Sequence, residues 1–101
     1  MIPLAEMDAT GAFLIVEDDQ QTSQMLLRLL ARIRPTEIVN TVRKARRILA
    51  PWRGWTGLVV DIGLPDGSGM DVVTDARQRY PLLPVLVLTG LNDRGVINRS
   101  C

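Results

Sequence analysis

Two short acidic stretches and one hydroxyl hold the residues of this 101-residue chain that could do chemistry. Glu17, Asp18 and Asp19 stand together directly after the apolar run AFLIV (12–16). Asp61 lies near the end of a second apolar run, GLVVDI (57–62), and Thr89 follows a third, PVLVL (84–88). Carboxylates brought close together repel one another unless a cation joins them, and hard oxygen donors suit Mg²⁺. A carboxylate beside such an ion can attack a phosphoryl group, because the metal offsets the negative charge of both reactants. Asp61 is the better nucleophile candidate, being central and fixed at a strand end. A single Asp in that place ordinarily caps a turn, but acids on two strand ends with a hydroxyl on a third favour a site. Other chemistry is largely excluded. There is no histidine and one cysteine, Cys101, so zinc clusters, internal disulfides and Ser-His triads are ruled out.

Such a site needs elements that carry three separated segments to one edge. The three runs are of strand length and apolar apart from Asp61 near the end of the second, the pattern of strands covered on both faces, and Glu37–Val42 reads as a further short strand. Amphipathic helices are predicted between them. The first sets Met25, Leu26, Leu29, Leu30 and Ile33 against Gln24, Arg28 and Arg32, and Pro35 closes it. The second buries Val42, Ala45, Ile48 and Leu49 and stops before Pro51. The third runs to about Tyr80 with Val72, Val73, Ala76 and Tyr80 inward and Asp71, Asp75 and Arg79 outward, opened by a capping box of Ser68 and Asp71. An incomplete helical stretch follows Gly90. Trp52 and Trp55, in the loop 51–57, read as plugs for the end of the core. Strand and helix alternating four times imply an α/β fold with a parallel sheet, whose ligands sit outside the carboxyl ends of the strands. Residues 1–11 show no period and read as a leader before a single domain over 12–101.

The composition, 47% hydrophobic and 23% charged, is that of an ordinary globular protein. No apolar run approaches the ~20 residues of a membrane span and no signal peptide is evident, so a cytoplasmic location without a membrane partner is expected. Arg43, Lys44, Arg46, Arg47 and Arg53 concentrate positive charge in a chain of net charge +1. With no aromatic interleaving or recognition motif, that stretch reads as a solvated helix face, and no nucleic-acid partner is expected.

The runs FLIVEDD (13–19), VVDIGLPDGSGMD (59–71) and VLVLTG (85–90), in that order, together resemble the receiver domain of two-component response regulators. The resemblance implies a flavodoxin-like, doubly wound parallel sheet of order 2-1-3-4 with helices on both faces. It implies a signalling domain rather than an enzyme, one that takes a phosphoryl group onto Asp61 from a sensor histidine kinase or a phosphotransfer protein. Mg²⁺ would be held by Glu17, Asp18, Asp61 and the backbone carbonyl of Gly63, with Asp19 just behind them. Thr89 is similar to the family's switch hydroxyl, and Pro65 and Gly69 match the turn after the phosphoacceptor. Asp66, in an Asp-Gly pair, reads as a turn former rather than a ligand.

The pattern departs from the family at its end. Receivers have a fifth strand and helix, with a lysine that contacts the phosphoryl group and an aromatic residue that moves with the switch. The only lysine here is Lys44. The sequence therefore reads as a receiver truncated before the fifth strand, whether as a fragment or naturally, with phosphorylation slowed or lost. The alternative is a phosphorylation-deficient interaction module. A metal-dependent phosphatase is disfavoured, because Gly63 stands where it would want a second acid. An apolar fourth strand without its neighbour is an edge that invites a second copy, so a homodimer through that strand and the Leu91–Arg99 segment is expected.

Overall fold

A computed structural model describes residues 11–51 and 53–89. The elements run β1 (Ala12–Val16), α1 (Gln20–Leu30), β2 (Thr36–Val39), α2 (Val42–Leu49) and β3 (Trp55–Asp61). Two short strands, β4 (Gly63–Leu64) and β5 (Gly67–Ser68), precede α3 (Gly69–Arg79) and β6 (Val85–Leu88). The apolar runs pair in parallel into one sheet of order β2-β1-β3-β6, the predicted 2-1-3-4 order with β6 as its fourth strand. The β4–β5 pair is a separate antiparallel hairpin inside the segment read only as a turn.

Alternation along the strands divides the interior in two. Leu14, Val16, Leu58 and Val60 face α2 and α3, meeting Val42, Ala45, Leu49, Val72, Val73 and Ala76 in the main core. Ile15 and Val59, buried outside that cluster, belong to the opposite face, where α1 packs on β1 and β2. Trp55 is buried in the main core and opens β3 instead of standing in a loop, while Trp52 lies outside the described residues. The Tyr80 hydroxyl donates to the carbonyls of Leu49 and Ala50, tying the end of α3 to the end of α2.

The first helix corrects the sequence reading. It ends at Leu30, and Met25, Leu29 and Ile33 are 46%, 56% and 59% exposed while Thr22 and Ser23 are buried. The apolar stripe is wider than the contact: α1 covers β1 and β2, and an open apolar groove of about 370 Å³, lined by Phe13, Leu30, Gly57, Val59 and Leu86 among others, remains beside it over β3 and β6. Strand β2 is also shorter than predicted, because Thr41 becomes the cap of α2. At α3 the Ser68 hydroxyl accepts from Met70 N (3.1 Å), one residue short of the capping-box pattern. No helix among the described residues is long and apolar enough to cross a membrane. The predicted leader, except Gly11, and the Leu91–Arg99 segment lie outside the described residues.

Candidate functional site

Parallel register sets the depth of each acid. Val16 pairs with Val60, which brings Glu17 level with Asp61, and Asp61 pairs with Leu88, which leaves Thr89 one residue beyond. The chain is held at these ends by Glu17 N–H to the Val39 carbonyl (3.0 Å) and Ile62 N–H to the Leu88 carbonyl (3.1 Å). One carboxylate oxygen from each of Glu17, Asp18 and Asp61 lies within 4.8 Å of the others. Glu17 and Asp61 are 2% and 6% exposed, whereas Asp18 and Thr89 face solvent.

This proximity is electrostatically costly. Burial pushes the Glu17 carboxyl up to about 7, and the charge of Asp61, a hydrogen bond shared with it and the charge of Asp18 push the same way. The Asp19 backbone N–H, 3.0 Å from Glu17 Oε2, opposes them. Without a cation, Glu17 is protonated at mildly acid pH, and a divalent ion between the oxygens would take the place of the proton. Three carboxylates converging with two of them buried make a donor set of hard oxygens that fits Mg²⁺.

Two other acids are turned to the backbone. The Asp19 carboxylate caps α1, accepting from Thr22 N (2.8 Å) and Thr22 Oγ1 (2.7 Å), which holds it below the usual carboxylate range. Its link to the cluster runs through its own N–H on Glu17. Asp66, with Pro65, forms the turn between β4 and β5, and its carboxylate accepts from Val42 N (2.7 Å) and Arg43 N (3.0 Å). Those two N–H groups hold it below its ordinary value as well. The contact spans 24 positions and has no local sequence signal.

Gly69 is the first residue of α3, and its N–H donates to the Ile62 carbonyl (2.8 Å). A Cβ there would overlap the Asp61 carbonyl oxygen and come within 2.8 Å of Val60 Cγ1. The glycine lets α3 start directly against the backbone that carries Asp61. Sequence reasoning placed it in the turn but did not see this approach.

The chain has relatives in sequence and in fold. The chain is 36% identical over 77 residues to the response regulator protein PilR of Pseudomonas aeruginosa, covering 75% of this chain and 17% of PilR. It is 36% identical over 87 residues to the photosynthetic apparatus regulatory protein RegA of Rhodobacter capsulatus, covering 85% of this chain and 47% of RegA. Its fold matches the HemR receiver domain from Leptospira biflexa with a TM-score of 0.70 and 30% identity, over 80% of this chain and 65% of that one. This chain belongs to the response-regulator receiver family. The MaeR response regulator, bound to beryllium trifluoride, matches this receiver with a TM-score of 0.69 and 28% identity, over 90% of this chain and 84% of that one. No family model matches the chain. The receiver spans under half the length of the curated relatives PilR and RegA. Its fold is the flavodoxin-like sheet that the three motifs implied.

Proposed function

We propose that this receiver accepts a phosphoryl group on Asp61 in two-component phosphorelay signalling, with a sensor histidine kinase or a phosphotransfer protein as donor. The observation that carries the reading is the convergence of Glu17, Asp18 and Asp61 at the carboxyl edge of the sheet. Glu17, Asp18, Asp61 and the Gly63 carbonyl would hold Mg²⁺, which when bound offsets charge on the carboxylate and the phosphoryl oxygens. An Asp61 oxygen attacks phosphorus in line, the P–N bond to the donor histidine breaks, and the imidazole keeps the electron pair and is protonated. The aspartyl phosphate returns to the carboxylate when water cleaves it to inorganic phosphate. Thr89, next beyond the residue paired with Asp61, is the hydroxyl that would turn toward the phosphoryl group.

Incubation with a small-molecule phosphodonor and Mg²⁺ is expected to add one base-labile phosphoryl group, seen by intact mass. Asp61→Asn should abolish it, and uptake that persists in that variant would overturn the assignment. The competing reading is an interaction module that works without phosphorylation. Total absence of uptake in the wild type supports it.

The same receiver is expected to self-associate. Among the described residues, β6 is paired only on its β3 side, and Leu86 is 57% exposed. Burying apolar surface stabilises by roughly 25 cal/mol per Å², and a two-fold pairing would close the β6 edges of both copies at once. Light scattering over a dilution series should show a dimer at micromolar concentration. A constant monomer mass would count against the pairing.

A further inference from the structure

A helix begins with N–H groups that have no acceptor in the preceding turn, and at α2 those of residues 42, 43 and 44 are accounted for. Thr41 is the cap: its hydroxyl takes Lys44 N (3.0 Å) and its carbonyl takes Ala45 N (3.1 Å). The remaining two, Val42 N and Arg43 N, go to the two carboxylate oxygens of Asp66. Asp66 is at the tip of the hairpin that begins two residues after Asp61 and carries the Gly63 carbonyl. A ladder of two residues per strand does not hold its own shape in water. Its base is anchored by the Gly69-to-Ile62 hydrogen bond and by Leu64, which is buried in the core. Its tip includes Gly67 at φ 154° and is fixed by Asp66. The helix it grips is itself tied at the far end by the Tyr80 hydroxyl.

We infer that Asp66 is a positioning residue for the metal site: by clamping the hairpin to the start of α2 it fixes the direction of the Gly63 carbonyl. Both carboxylate oxygens are used, so the clamp restrains rotation of the tip as well as its distance from the helix. Loss of a group that orients a metal ligand commonly weakens binding about 10- to 100-fold. The inference rests on the metal-site reading proposed above.

The test compares wild type with Asp66→Ala, Asp66→Asn and Thr41→Ala. Mg²⁺ is titrated while amide shifts of residues 61–63 are followed, and each metal-free variant is melted thermally. Asp66→Ala should bind Mg²⁺ about tenfold more weakly, at the lower end of that range because the carboxylate ligands are untouched. Asp66→Asn keeps one acceptor oxygen and should lose less, and it carries the test if the alanine variant does not fold. Thr41→Ala loosens the same helix end without touching the hairpin, so it should lower the melting temperature but leave Mg²⁺ affinity unchanged. Unchanged affinity in both Asp66 variants overturns the inference, as does equal weakening in Thr41→Ala, which would trace the effect to the helix alone. No saturable Mg²⁺ response in the wild type overturns the metal-site reading and this inference together.

Discussion

Replacing Gly69 by alanine is expected to remove about 3 kcal/mol or more of stability, the upper range for overpacking a rigid site. The added Cβ would overlap the Asp61 carbonyl oxygen and lie 2.9 Å from its carbon, and neither backbone atom can turn aside as a flexible side chain would. Relief requires α3 to move off β3, which would also break the Gly69-to-Ile62 hydrogen bond. A domain is stable by only about 5 to 15 kcal/mol, so the variant should unfold at far lower urea. Asp61 would be displaced by the same shift, and phosphoryl uptake should fall with stability. Gly63→Ala is the matched control. Nothing lies within 4 Å of a Cβ there and the carbonyl is retained, so stability should change by less than about 0.5 kcal/mol. A Gly69→Ala midpoint equal to that of Gly63→Ala would refute the close approach.

The second large effect is a dependence on pH with the unusual sign. A carboxyl that titrates at 4.5 when unfolded and at about 7 when folded keeps its proton longer in the native state. Glu17 therefore contributes stability that is full below pH 4.5 and lost as pH rises to about 7. Linkage sets about 1.4 kcal/mol for each pH unit as the upper bound, and because the titration is shared with Asp61 the loss in metal-free protein is on the order of 1 to 3 kcal/mol. Asp19 and Asp66, both held low by hydrogen bonds, act in the opposite sense: their contribution is present above the ordinary Asp value and disappears in acid. Urea unfolding from about pH 5 to about pH 8 should separate the two groups when wild type is compared with Glu17→Gln. Wild-type stability should fall relative to the variant as pH rises, because glutamine cannot lose a proton beside Asp61 and Asp18. Parallel curves would show that Glu17 titrates normally. Millimolar Mg²⁺ should stabilise the wild type more at the alkaline end, where no proton has to be displaced.

Periodicity and residue type determined most of the architecture. Apolar runs at 12–16, 57–60 and 84–88 have no polar face to offer solvent, so they become the strands of one sheet, with β1 and β3 inside it and β6 less covered at Leu86. With helical spacing between them, a parallel sheet follows, and its carboxyl edge collects Glu17, Asp18 and Asp61. Tertiary structure decided which acids face that edge. Asp19 and Asp66 have the same chemistry as Asp18, yet their carboxylates answer the bare N–H groups at the starts of α1 and α2. An orphan N–H is a property of where a helix begins in space, and for Asp66 the helix begins 24 positions earlier in the chain. The inward face of α1 was decided in the same way. Its stripe specifies an amphipathic helix, but the width of sheet beneath it sets which of Met25, Leu26, Leu29 and Leu30 is covered. Gly69 shows the same division: its type announces a close approach, and only the packed structure shows that what approaches is the backbone of Asp61.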